Sequence, residues 1–220
     1  MIEFKIFAPY TERLRHRVFG RTTDIDNRNE IGKGLGSAHP AISFENQLHS
    51  AIVHIVENQG IPLGGDALIT QLPNIPIAIR IADCASILLY DPVTHTAANI
   101  HAGWRGMVKR IIAATAERMH TRFNIQPNNL LAAISPMVGN CCSSFSDPYT
   151  ELPQHMHPFI RENNIVDLWA VVEWQLREQG IEQIENPRIC TSCDHDTNKL
   201  FWSHRRDKNC GRFGTAIMLR

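Results

Sequence analysis

Apolar positions along the chain fall into short runs of two kinds. Between residues 77 and 102, Ile77, Ile79 and Ile81 alternate with other residues, Ile87 to Tyr90 is a continuous β-branched and aromatic run, and Ala97, Ala98 and Ile100 lead into His101. Runs of this length predict strands, and Asp91-Pro92 with Thr94 and His95 predicts the turn that reverses the chain between two of them. Alternation predicts further strands over 2–8, with Ile2, Phe4 and Ile6 inward, and over Ile52 to Val56. Leu130 to Ile134 reads as a buried strand ended by Pro136, and Ile189, Phe201 with Trp202, and Ala216 to Leu219 read as late strands. The second kind of run has helical spacing. Met107, Val108, Ile111, Ile112, Thr115 and Met119 predict one amphipathic helix over 107–119. A second helix is predicted from Val166 to Gln179, with Asp167 near its start and Gly180 as its stop. Residues 22–46 keep no period and read as a surface loop, and Gly64-Gly65, Pro73 and Pro76 divide the next region into turn, short run and turn.

Hairpins mixed with a few helices predict an α+β fold rather than a βαβ alternation, and 220 residues with 43% hydrophobic content suffice for one domain over 1–220. Lys plus Arg and Asp plus Glu are 22 each, which removes the electrostatic case for nucleic-acid or anionic-membrane partners. No stretch has the apolar length of a signal core or a membrane span, so a cytoplasmic protein, monomer or homodimer, is expected. Six cysteines in that setting read as thiols, metal ligands or small hydrophobes rather than a disulfide framework.

The predicted hairpin places Cys84 and His101 at the ends of two apolar runs, so a thiol and an imidazole converge at one sheet edge. The corner Gly103 to Gly106 then opens a helical segment whose first N–H groups favour an anion. With His49, three residues before the strand at Ile52, the two residues make a candidate metal site. Two imidazoles and a thiolate suit Zn²⁺, and three protein ligands leave a fourth position for water or substrate. Two other readings of the same residues stay open: a cysteine hydrolase with Cys84 as nucleophile and His101 as base, or a small buried thiol beside ordinary polar histidines. Asp66 and Asp83 are the nearby carboxylates, as proton carriers, as partners that orient a ligand imidazole, or simply as turn caps. Cys190 and Cys193 form a lone C-x-x-C and read as structural, and Cys141-Cys142 reads as unsuited to one site because neighbours on a strand face opposite ways. Arg205 and Arg206 in SHRRD (203–207) suit an anion such as phosphate, with a surface Arg-Asp pair as the plain alternative. Arg21 and Arg105 join them only if the fold brings them together.

The stretches QLHS (47–50), GGDALIT (64–70), ADCASILLYDP (82–92), IHAGWRG (100–106), VDLWAVVEWQL (166–176), Cys190-Thr191 and FWSHRRDKNCGR (201–212) carry a family likeness. The chain resembles the bacterial YfiH/YlmD family, long labelled multicopper polyphenol oxidase or laccase-domain proteins. The resemblance implies a single αββα domain with mixed sheets and a zinc site on His49, Cys84 and His101, with Cu²⁺ as the other metal to consider. It implies phosphorolysis of adenosine, inosine and methylthioadenosine, with deamination of adenosine, so a purine nucleoside and phosphate are the expected small-molecule partners. Some members are described instead as laccase-like copper oxidases or as peptidoglycan-editing factors, which an amidase reading of Cys84 would serve. Arg21 is carried over as a substrate contact. Multinuclear copper needs histidines gathered in pairs, and the one H-x-H here, His155 and His157, lies in a Pro-flanked segment.

Overall fold

The computed structural model describes residues 2–193 and 200–220. Eleven strands are formed by the described residues: β1 (Leu14–Phe19), β2 (Asn46–Gln47), β3 (Val53–Val56), β4 (Gly64–Gly65), β5 (Ala67–Thr70), β6 (Ile77–Ile81), β7 (Ala85–Asp91), β8 (Thr96–Ala102), β9 (Leu131–Ile134), β10 (Gln183–Glu185) and β11 (Phe213–Leu219). The α-helices are α1 (Arg28–Gly34), α2 (Trp104–Val108), α3 (Ile111–Phe123), α4 (Pro148–Glu151) and α5 (Leu168–Glu178). A six-stranded mixed sheet in the order β10-β9-β7-β8-β5-β3 packs face to face on a three-stranded antiparallel sheet, β1-β11-β6.

Alternation along the strands sorts side chains into three cores. Ile87, Leu89, Ala98, Ile100 and Ile134 point from the large sheet onto Met107, Ile111, Val171 and Leu176 of α2, α3 and α5. Their neighbours Leu88, Tyr90 and Ala97 meet Ile77, Ile79, Ile81 and Phe213 between the sheets. Ala78, Ala216 and Met218, on the far side of the small sheet, are covered by Ile31 and Leu35 around α1. The layers therefore run helix, sheet, sheet, helix, an αββα arrangement of α+β class.

A polar knot interrupts the core between the sheets. The hydroxyl of Ser86 donates to Oδ1 of Asn99 at 2.7 Å, the Asn99 amide donates to the carbonyl of Thr215 at 3.2 Å, and the Ser86 and Thr215 hydroxyls meet. All three residues are fully buried. Such groups stay inside only because each finds a partner there.

Several predicted elements differ. Residues 2–8 are not a strand: Ile2 makes one bridge to Val18, and Lys5–Tyr10 is a 3₁₀ helix. Phe4, at its N-cap, and Phe7 are buried three apart, which fits a 3₁₀ turn and not the alternation of Ile2, Phe4 and Ile6. Residues 22–46 are no surface loop. Asn27 caps α1 by accepting the Glu30 N–H at 3.2 Å, and Ile25, Ile31, Leu35, Ile42 and Phe44 are buried at spacings that give no period. The helix predicted over 107–119 is two helices, broken where Arg110 takes a left-handed φ of 65°. Ile189 and Phe201–Trp202 are not strands; β10 lies earlier, parallel to β9. The helix predicted from Val166 does form, with the Asp167 carboxylate accepting the Ala170 N–H and Gly180, at φ 77°, turning the chain away.

His16 on β1 gives the fold a dependence on acid. Its Nε2 accepts the Phe4 N–H at 2.7 Å and its ring stacks on Phe4, so the neutral imidazole is the form that fits. Burial pushes its pKa down to about 4, against the pull of Glu3 and Glu185. The unfolded chain, with an ordinary imidazole, binds the proton first, so stability is intact above about pH 6.5 and falls as pH drops toward 4. The loss attributable to His16 between pH 7 and pH 4.5 is expected to be about 2 kcal/mol, and His16→Gln should flatten that slope in urea unfolding. Equal slopes in the two proteins would remove His16 from the account.

Candidate metal centre and active site

The β7–β8 hairpin fixes two of the candidate ligands. Ser86 pairs with His101 and Ala85 with Ala102, and Cys84 stands immediately before β7. Residues two apart share a strand face, so Cys84 follows Ser86, and His101 follows Asn99, into the gap between the sheets. His49 arrives from the loop after β2 with φ 51°, and Asp83, beside Cys84, has φ 83°. Non-glycine residues held there cost about 1 to 3 kcal/mol each and persist only where the surroundings fix them. Here the Lys109 ammonium holds the His49 carbonyl at 2.8 Å, and the Asp83 carboxylate accepts the Thr191 hydroxyl and the Arg205 N–H, both at 2.6 Å. The ligand atoms of His49, Cys84 and His101 all lie within 4.8 Å of one another.

Asp66 organises this trio from behind. Its side chain is fully buried, and it accepts Nδ1–H of His101 at 2.8 Å, the His49 N–H at 2.9 Å and the Ser50 N–H at 2.7 Å, together with the Ser50 hydroxyl. Burial alone would raise its pKa; the bonds from His101 and Ser50 win and hold it below the usual carboxylate range. With Nδ1 committed to Asp66, Nε2 of His101 is left to face the thiol. Burial likewise opposes charge on His101, but Asp66 and Cys84 outweigh it and raise the imidazole to about 9. The Cys84 thiol, disfavoured by burial and favoured by His101 and His49, is held at about 6. Each of the two groups thus favours the charged form of the other, a thiolate beside an imidazolium.

Those donors fit a metal. A carboxylate-oriented imidazole, a second imidazole and a preformed thiolate make a ligand set for Zn²⁺ or copper, and uptake of the ion would displace the His101 proton. Gly103 leaves room for it: a Cβ there would stand 2.8 Å from the Cys84 sulfur and 3.0 Å from the His49 ring. Among the described residues the other convergent group of ligands contains only cysteine, so no paired-histidine cluster of the multicopper kind is present there.

The trio opens into a cleft of about 1000 Å³. Trp104 and Phe145 form an edge-to-face pair on its wall, ring centroids 5.5 Å apart, and the Arg105 guanidinium lies 4.2 Å over Trp104. Five cations, Arg80, Arg105, Arg205, Lys208 and Arg212, line it against Glu45, Asp83 and Glu151, so a chain of zero net charge has a locally basic cleft.

The sequence-predicted residues divide accordingly. Asp66 orients His101 and does not line the cleft, whereas Asp83 lines it with both oxygens engaged. Arg105 and Arg205 line it; Arg205 is braced by two bonds to Ser144 at 2.8 and 2.9 Å. Arg206 does not, since its guanidinium binds the carbonyls of Thr191, Ser192 and Phe201. Arg21 stacks on Trp202, 4.3 Å from the ring, and is also outside the cleft lining. Arg80, Trp104 and Phe145 were missed. A charge in the middle of an Ile-rich strand was the signal for Arg80.

A family model described as multi-copper polyphenol oxidoreductase laccase matches residues 22–220. A purine nucleoside phosphorylase of Clostridium acetobutylicum is 29% identical over 182 residues, covering 80% of this chain and 76% of that protein. Another, from Aquifex aeolicus, is 31% identical over 171 residues, covering 76% of this chain and 77% of that one. The solved structure of YlmD from Geobacillus stearothermophilus is 29% identical, with a TM-score of 0.77 over 91% of this chain and 81% of its own. Match to the family model over nearly the whole length, on a shared fold, places the chain in the laccase-like family of YfiH and YlmD proteins.

Proposed function

We propose that the chain is a zinc-dependent purine nucleoside phosphorylase acting on adenosine, inosine and methylthioadenosine, with deamination of adenosine as a companion activity. The observation that carries the reading is the basic, aromatic-walled cleft over the His49, Cys84 and His101 trio. Its dimensions and lining suit a flat base together with an anionic co-substrate. The names of its relatives support the same substrate class. A bound Zn²⁺ supplies Lewis-acid polarisation at its open position.

The residues of the chain divide the remaining work. Trp104 and Phe145 offer ring faces and edges to the purine, and Arg105, Arg205 and Lys208 draw phosphate to the same cleft. The Arg105 guanidinium rests on the Trp104 ring, with no side-chain hydrogen bond or ion pair among the described residues, and so can reach a phosphate oxygen. In phosphorolysis that oxygen bonds to the ribose carbon as the carbon–nitrogen bond to the base breaks, and the base leaves with a proton. His101, held through Nδ1 by Asp66, would present Nε2 to the metal and so serve as a ligand, and the leaving base takes its proton from the phosphate co-substrate or solvent water.

Adenosine or inosine with phosphate should yield free base and ribose 1-phosphate, and omission of phosphate should stop base release. Arg105→Ala should weaken apparent phosphate affinity about ten- to a hundredfold, the worth of a charge-assisted contact of roughly 1.5 to 3 kcal/mol. Arg206→Ala should leave phosphate affinity unchanged, because its guanidinium holds a loop. Phosphate-independent base release would point to a nucleosidase and overturn the reading.

One observation favours a second reading. Cys84, His101 and Asp66 are ordered as thiolate, imidazolium and carboxylate, the arrangement of a cysteine hydrolase such as an amidase editing peptidoglycan precursors. A chelator separates the two: reversible loss of turnover supports the metal enzyme, while activity that survives chelation and fails on thiol alkylation supports the hydrolase.

A further inference from the structure

Away from the cleft trio, four more cysteines come together. Cys141 and Cys142 sit in the turn after Gly139, where the N–H groups of Cys142 and Ser143 both return to the Gly139 carbonyl. A turn does not send neighbouring side chains to opposite faces as a strand does, so both sulfurs can point one way, contrary to the sequence expectation. They point at Cys190 and Cys193. The four sulfurs lie within 4.8 Å of one another, and those of Cys141 and Cys193 are 3.1 Å apart.

We propose that Cys141, Cys142, Cys190 and Cys193 form a second metal site, which takes one Zn²⁺ in all-sulfur tetrahedral coordination and braces the cleft from behind. Zn–S bonds of about 2.3 Å put the sulfurs of a tetrahedron about 3.8 Å apart, a spacing these four reach with shifts of a few tenths of an ångström to about 1 Å. A disulfide needs about 2.05 Å, uses only two of the four, and would leave the other pair unexplained. The sulfur of Cys190 also accepts the Gly139 N–H at 3.2 Å, and the nearby backbone N–H groups of Cys193 and Ser192 favour its thiolate against the penalty of burial. Donors converging on one sulfur stabilise a thiolate, and four sulfurs this close carry more than one negative charge only around a cation. The ion displaces the remaining thiol protons to solvent and no electrons move.

The position gives the site a role. Cys190 precedes Thr191, whose hydroxyl holds Asp83 beside Cys84, and Arg206 clamps the carbonyls of Thr191 and Ser192. Joining 141–142 to 190–193 through a metal reinforces two segments already linked by the Met137–Cys190 bridge, a few backbone bonds and the Gly139 N–H to Cys190 sulfur bond.

The test isolates this site in Cys84→Ser, in which the cleft trio lacks its thiolate. Purified with Zn²⁺, that variant should carry one ion per chain by native mass spectrometry. Reloaded with Co²⁺, it should show intense near-ultraviolet thiolate-to-metal charge transfer with the visible bands of tetrahedral cobalt. Adding Cys141→Ser and Cys193→Ser should bring the count to zero. In the otherwise unchanged protein, where misfolding of a variant is no issue, the exposed Cys141 should resist iodoacetamide until a chelator is added. Cys193→Ser alone should keep the ion of the cleft trio. No ion in Cys84→Ser, Cys141 alkylated at once with zinc present, or an intact mass lighter by two hydrogens with a Cys141–Cys193 crosslink would each overturn the proposal, the last in favour of a redox pair.

Discussion

Cys84→Ser is expected to lower the metal content of the protein by one ion per chain and to cut nucleoside turnover at least about a hundredfold, with the fold retained. The thiol stands immediately before β7, half-buried at the cleft floor, and its neighbours Ala82 and Ala85 already fill the core side. A hydroxyl of similar size keeps that packing. It does not keep the ligand, because a serine hydroxyl has no counterpart to a thiol held at about 6, and without an anion opposite it His101 loses one of the two groups that raise it to about 9. Metal analysis, steady-state kinetics and thermal unfolding on one preparation decide the matter. Metal retained at the cleft trio would show that the ligand is another residue.

Asp66→Asn is expected to be the more damaging change, costing about 3 to 5 kcal/mol of stability as well as the metal. Four donors converge on two carboxylate oxygens: the His49 and Ser50 N–H groups, the Ser50 hydroxyl and Nδ1–H of His101. An amide presents one oxygen and one NH₂, so at least one of those donors meets another donor in a fully buried place. Denaturant unfolding gives the first number and zinc titration the second. A midpoint within experimental error of the unsubstituted protein would mean that the network carries little energy.

The parts of this fold that were readable are those where one run of residues settles one element. The β7–β8 hairpin is such a case, since continuous apolar runs on both sides of Asp91-Pro92 leave no second arrangement, and with it came Cys84 and His101. Residues 107–119 kept helical spacing across a break because Arg110, left-handed, changes the axis but leaves Ile111 and Ile112 on the core side. The cysteine group was illegible for a different reason. Its pairs are about fifty residues apart, and only the turn at Gly139, invisible as a turn in a stretch that reads as strand and loop, aims Cys141 and Cys142 together. The arginines show the limit most plainly: Arg205 and Arg206 are adjacent, yet one faces the cleft and its neighbour is consumed by carbonyls. Side-chain direction at the end of a loop is a tertiary property.

The knot of Ser86, Asn99 and Thr215 acts on the fidelity of assembly more than on its energy. Apolar strands such as β7 and β8, rich in Ile, Leu and Ala, pair almost as well one residue out of step, because most displaced side chains would still meet something apolar. Asn99 forbids that shift: moved by one, it would point into the layer of Ile111 and Val171 with no partner, at a cost of about 1 to 3 kcal/mol for each stranded group. A shift by two would keep the face but part Asn99 from both Ser86 and Thr215. His101 lies two residues beyond Asn99 and Cys84 two residues before Ser86, so a mispaired hairpin that escaped this check would still look folded while carrying its thiol and its imidazole on different sides of the sheet. The polar residues one step deeper than Cys84 and His101 thus work as a proofreading element for the geometry of the candidate metal centre.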